Sequence, residues 1–186
     1  MAEELKQDPE TRKLMVEMLM ESGHTQTQAE AAIDAMWQAI ANGARLADVL
    51  GISRETLEAG YAYGYNLYSA GNFQDAAVMF RGLCIYDPDD PRYWMGLGGC
   101  LQACGNYDKA IDVYGMAGVA GAMQDPAPFY HGGICCLKKG DAEGARVSLQ
   151  TALTLGKESN PAHKACHEKI RGLLASLKEA QKEAKA

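Results

Sequence analysis

No apolar run in this chain approaches the roughly 20 residues a helix needs to cross a bilayer, so no direct membrane insertion is expected. The N-terminal stretch carries Glu3, Glu4, Lys6, Asp8 and Glu10, where a secretory signal would need a basic segment and then an apolar one; the expected location is the cytosol. Positive charge is in deficit. With 18 Lys and Arg against 24 Asp and Glu, the net charge is -6, and no cluster of cations could neutralise a run of phosphates, which argues against nucleic acid as a partner. The compactness of a secreted disulfide scaffold is missing too. Cys84, Cys100, Cys104, Cys135, Cys136 and Cys166 sit within apolar helical patterning and read as reduced, mostly buried thiols.

What is present is a repeat. The segment from Tyr68 through Gly71, Phe73 and Ala76 to Phe80 returns as Leu101 through Gly105, Tyr107 and Ala110 to Tyr114. It returns again as Leu137 through Gly140, Ala142 and Ala145 to Leu149. The glycines 71, 105 and 140, like the alanines 76, 110 and 145, step by 34 and then 35 residues, the period of tetratricopeptide helical hairpins. A glycine between two helices can take the left-handed conformation that ends the first. Gly98 and Ala110 keep side chains small where helices meet, and Trp94, Leu97, Tyr107 and Tyr114 fill the space between them. The expected fold is all-α: a solenoid of three repeats at 57–90, 91–125 and 126–159.

A capping helix and polar tail are expected over 160–186, with Cys166, Ile170, Leu173, Leu174 and Leu177 on its apolar side. Residues 1–56 form an N-terminal helical extension. Leu14, Met15, Met18 and Leu19 predict one helix there, and Ala29, Ile33, Met36, Trp37 and Ile40 predict another after a cap at Thr25 or Thr27. Three repeats bury little alone, so this extension is expected to pack on repeat one or on a second copy of the chain, making it a candidate dimerisation region.

In such a stack the first helix of each repeat lines an inner, concave surface. The inward positions are Glu58, Tyr61, Tyr65 and Tyr68, then Arg92, Met95, Gly99 and Gln102, then Ala127, Tyr130, Ile134 and Leu137. A solvated surface should be mostly charged, whereas this one is rich in tyrosine and aliphatic side chains, the mark of a partner-binding face. The chemistry suits an extended polypeptide with apolar anchors.

Catalytic and metal readings fare worse. In His163-x2-Cys166-His167 the two histidines lie one helical turn apart, a possible pair of metal ligands, and Cys100 and Cys104 repeat the spacing, yet neither cluster has an obvious third and fourth ligand in sequence. Packed thiols and solvated histidines on a cap helix account for both. The glycines around 96–99 and 115–121 follow no strand and precede no Gly-Lys-Ser/Thr, so close helix packing explains them. No enzymatic activity, cofactor or metal is expected.

The run Ile52-Ser-Arg-Glu-Thr-Leu-Glu58 into Tyr61-x3-Tyr65-Asn-x-Tyr68-x2-Gly71, then Phe80-x2-Leu83-Cys84-x2-Asp87, then Gly96-Leu-Gly98-x-Cys100-x-Gln102 resembles the class II chaperones of bacterial type III secretion, the SycD/LcrH type. The resemblance covers about residues 46–155. It implies a bacterial cytoplasmic chaperone that keeps hydrophobic translocator proteins soluble and competent for secretion. It also implies a homodimer, and a groove that takes an N-terminal client segment of Pro-x-Leu-x-x-Pro type. Carried onto matching positions, the groove residues are Tyr61, Tyr65, Tyr68, Phe73, Tyr86 and Leu97; the inward set adds Met95, Gln102, Tyr130 and Ile134. Leu97 conflicts with repeat geometry, which puts it in the core. The longer N-terminal region and Pro88 depart from the family pattern. The alternative is a general tetratricopeptide adaptor or co-chaperone. A clamp for an acidic C-terminus would need inward cations, and Arg92 is nearly alone.

Overall fold

The computed structural model describes residues 8–183, so the first seven residues of the N-terminal extension and the last three of the C-terminal tail lie outside the described part. Every regular element among the described residues is a helix. The chain divides into two compact units between Ser53 and Arg54.

In the first unit, α1 (Pro9–Glu21) begins where Asp8 accepts a hydrogen bond from the Thr11 backbone N–H, with proline at the start of the helix, where a missing N–H is harmless. α2 (Gln26–Ala41) opens with a capping box between Thr25 and Gln28, so of the two threonines the sequence offers, Thr25 is the cap. α3 is a single turn, Leu46–Val49. Arg12 on α1 meets Asp34 on α2 at 2.8 Å. α2 buries Ala29 and Ile33, whereas α1 buries none of its residues and leaves Leu14 and Met18 exposed.

The second unit is a run of hairpins: α4 (Arg54–Ser69) with α5 (Phe73–Tyr86), α6 (Pro91–Ala103) with α7 (Tyr107–Ala120), and α8 (Ala127–Lys139) with α9 (Ala142–Leu153), followed by α10 (Pro161–Glu183). Within this run each helix packs on the next, and α4 also lies against α6. The hairpin turns fall at Gly71, Gly105 and Gly140, with φ of 82°, 76° and 80°, a conformation that costs a residue with a Cβ roughly 1 to 2 kcal/mol.

Between helices the fit is closer still. A Cβ on Gly96 would stand 2.6 Å from the Phe80 ring, one on Gly98 2.6 Å from Tyr114, one on Gly118 2.6 Å from Phe129 and one on Gly133 2.8 Å from Leu149. Each large side chain therefore rests on bare backbone of a neighbouring helix, and Phe80, Tyr114 and Leu149 are buried there. Ala76, Ala110 and Ala145 are fully buried, as the repeat pattern requires.

α10 packs on both α8 and α9, the place the first helix of a fourth repeat would take. Its Cys166, Ile170, Leu173, Leu174 and Leu177 close a cluster with Leu149 and Ala152. The histidines of this helix require a correction. His167, expected to be solvated, is buried and donates from Nε2 to the Leu155 carbonyl at 2.9 Å, because a helix packed against two neighbours covers more of its circumference than one apolar stripe. His163 accepts at Nδ1 from the Lys157 backbone N–H at 2.9 Å.

All six cysteines are free, and four of them, Cys84, Cys100, Cys135 and Cys136, are buried. Burial pushes the Cys84 thiol up to about 12 and those of Cys100 and Cys135 up to about 11. They are uncharged packing groups at neutral pH, unsuited to nucleophilic attack or metal binding.

The ring-on-glycine contacts predict an asymmetry between glycines. Gly98→Ala drives a methyl into the buried Tyr114 ring and should destabilise the protein by about 1 to 3 kcal/mol. Gly82→Ala, at a helical site where an added Cβ meets nothing within 4 Å, should stabilise it by about 0.5 to 1 kcal/mol. Thermal unfolding followed by circular dichroism measures both.

Candidate functional site

Tyr61, Tyr65 and Tyr68 follow one another on α4 at intervals of four and three residues, which places them on one face of the helix. Tyr61 is the most firmly held. Its ring stands 5.9 Å from those of both Phe80 and Tyr93, with the Arg92 guanidinium carbon 4.9 Å from its centroid, a cation–π contact. Tyr68 packs edge-on against Phe73 at 5.3 Å and is 36% exposed, while Tyr65 is 56% exposed.

Across from this row α6 contributes Arg92, Met95, Gly96 and Gly99 to an open groove of about 360 Å³, which Tyr114 and His131 also line. A smaller cavity of about 180 Å³ shares Tyr68, Gly99, Tyr114 and His131 and extends to Gln102 and Lys138. Gln102 accepts at its side-chain oxygen from the Tyr114 hydroxyl at 2.9 Å and from the Cys135 thiol at 3.5 Å. Its amide is thereby fixed, with Nε2 as the donor left to a ligand.

The sequence-predicted residues separate into two sets. Tyr61, Tyr65, Tyr68, Met95 and Gln102 line the two connected cavities. Phe73 backs Tyr68 without lining either. Leu97 is 5% exposed, which settles its conflict in favour of the core. Tyr86 and Ile134 are half-buried and line neither cavity. Tyr130 is half-buried with its ring 5.1 Å from His131, packs on the cluster formed by Leu149, Ala152 and Ile170, and lines neither cavity. Sequence reasoning placed Arg92 among the inward positions without a role and passed over His131. The helical spacing could have found His131: it lies four residues after Ala127 and three before Ile134, both counted as inward.

Charge is concentrated at one place. Arg92 meets Asp90 at 2.6 Å and Glu58 at 3.2 Å, joining α4 to the start of α6. Hydrogen bonds from Arg92 hold the Glu58 carboxyl below the usual carboxylate range. Burial alone would raise Asp90, but the Arg92 side chain and backbone N–H outweigh it and leave that carboxyl lowered as well. Burial holds the His131 imidazole below its ordinary value; Lys169 adds to the effect and Asp125 opposes it.

Hairpins of this period, stacked and capped by a lone helix, define a tetratricopeptide-repeat protein, and residues 67–127 match the tetratricopeptide repeat family. The chain is 33% identical to low calcium response locus protein H of Yersinia pseudotuberculosis over 77% of its own length and 84% of that protein. The SycD chaperone of Yersinia enterocolitica, solved in complex with a peptide of the translocator YopD, is 34% identical. That match covers 70% of this chain and 98% of SycD, with a TM-score of 0.65. PcrH, a protein of Pseudomonas aeruginosa, solved with the chaperone binding region of PopD, is also 34% identical, with 70% and 97% covered and a TM-score of 0.66. PcrH has been solved with the corresponding region of PopB, and SycD as an alternative dimer. The chain belongs to the SycD/LcrH family of type III secretion translocator chaperones.

The pairing of Arg92 with two carboxylates gives a pH signature. A carboxyl whose pKa is depressed on folding contributes stability that is complete above its unfolded value, about 4, and is lost as the pH falls through the lower folded value. Arg92→Ala should lower the thermal midpoint modestly near neutral pH. Its gap from wild type should close as the pH falls below about 4, read from unfolding curves of both proteins over an acid series.

Proposed function

We propose that this chain is a cytoplasmic chaperone of a bacterial type III secretion system. It holds an extended segment near the N-terminus of a hydrophobic translocator in the groove lined from α4, α6 and α8, keeping the client soluble and fit for export. The observation that carries this reading is the exposure of Tyr65 and Tyr68 along a groove in a family whose relatives SycD and PcrH bind translocator segments. A tyrosine offers apolar area and a hydroxyl that can meet a peptide carbonyl.

Ordering a disordered client segment costs on the order of 2 to 5 kcal/mol. Two or three buried anchors at about 1.5 to 3 kcal/mol each offset that, consistent with an affinity near the micromolar range, roughly -8 kcal/mol. Binding and release require no covalent chemistry, so no catalytic residue, cofactor or metal enters the reading. A general adaptor that clamps an acidic C-terminus is disfavoured, because the guanidinium of Arg92 is already taken up by Asp90 and Glu58.

Titration calorimetry with an N-terminal translocator peptide of Pro-x-Leu-x-x-Pro type tests the groove. Tyr65→Ala combined with Tyr68→Ala should weaken binding by about tenfold or more; unchanged affinity would count against it. The reading includes a homodimer formed through residues 1–56, supported by the exposed Leu14 and Met18 on α1. In sedimentation experiments wild type should run as a dimer, and Leu14→Asp plus Met18→Asp should shift it toward monomer. A monomeric wild type at micromolar concentration would refute this part.

A further inference from the structure

The two cavities of the groove meet where Tyr68, Gly99, Tyr114 and His131 come together. His131 is placed there by aromatic contacts, stacked on Tyr114 at 5.4 Å with 25° between planes and edge-on to Tyr130 at 5.1 Å. Neither of its ring nitrogens meets a hydrogen-bond partner among the described residues, although Tyr114 beside it is bonded to Gln102. A ligand filling the groove strips water from those nitrogens and has to replace the hydrogen bonds it removes. An extended peptide can do so, since it carries an unpaired carbonyl and N–H at nearly every residue. A client helix cannot, because its backbone groups already bond to each other.

We propose that His131 is the specificity-determining residue at the waist of the groove, its imidazole hydrogen-bonding to the main chain of an extended client segment that passes from the Tyr61 and Tyr65 side to the Gln102 side. The inference rests on the chaperone reading and adds to it a residue that bonds the client's main chain.

The titratable and charged groups around this ring are Asp125 in the α7–α8 connection, Lys169 on α10, Tyr114 and Tyr107 on α7, Tyr130 and Lys138 on its own helix, and Tyr61, Tyr65, Tyr68 and Arg92 along the cavities. Burial keeps His131 neutral at ordinary pH, and a bound peptide buries it further. A base whose pKa drops on binding favours the complex in its neutral form, so affinity is complete above the free-state pKa and declines as the pH falls through it.

The test is calorimetry of the full chain with the same translocator peptide in a series from about pH 7.5 down to about pH 4.5, well below the ordinary imidazole value, because burial lowers His131 from it. His131→Phe keeps a ring against Tyr114 and removes both nitrogens. It should weaken binding about tenfold at the higher pH and abolish the loss of affinity at the lower pH, with a thermal midpoint matching wild type. His131→Gln should retain affinity within about threefold and show no pH dependence; should His131→Phe fail to fold, this variant decides alone. Unchanged affinity in His131→Phe, or a wild-type pH slope in either variant, overturns the proposal. Wild type that fails to bind, or that binds equally after the Tyr65 and Tyr68 substitutions, brings down the chaperone reading and this inference together. Binding that needs the tyrosines but ignores His131 overturns this inference alone.

Discussion

The repeat unit depends on the contact between a large side chain and the bare backbone of a neighbouring helix. Phe80 lies on Gly96, Tyr114 on Gly98, Phe129 on Gly118 and Leu149 on Gly133. These contacts tie each helix to its neighbour, from α5 on α6 through to α9 on α8. Because glycine faces each large side chain, within hairpins and between them, helices approach closely while bulky side chains still fill the space between them. The same economy of side chains recurs in the groove, where Gly99 lies beside the Tyr68 ring.

That internal arrangement explains why the groove is aromatic and sparsely charged. The repeat lays α4 against α6, and Arg92 spends its donors on Glu58 and Asp90, reinforcing the junction of repeats one and two. What remains along the row is ring surface in graded states of restraint, from Tyr61 held among Phe80, Tyr93 and Arg92 to the half-open Tyr65. On the reading proposed above, recognition relies on shape, apolar contact and main-chain hydrogen bonding. Charge fixes the frame.

Much of this was legible in the sequence because period and pattern are one-dimensional. The turn glycines, the buried alanines and the apolar stripe from Cys166 to Leu177 each follow from spacing alone, and the structure finds them in those roles. The tyrosines of α4 were legible for the same reason. What escaped was decided by contacts between distant segments. Tyr130 satisfies the inward spacing, but its neighbours include residues of α10, some 40 positions later in the chain, and no local pattern announces that competition. His131 was missed because it is a polar residue beside positions judged by apolarity, and its setting comes from Tyr114 on another helix. His167 was misjudged because burial on a capping helix depends on how many neighbours that helix has. Leu97 shows the reverse case: repeat geometry outweighed family resemblance, since a helix position fixes direction more firmly than an analogy does.

The position of α10 also sets a length. By standing where another repeat would begin, it limits the row of first helices to three. The terminal helix is in this sense a ruler: on the chaperone reading, it sets how long a phrase of another protein the stack can take before the surface runs out.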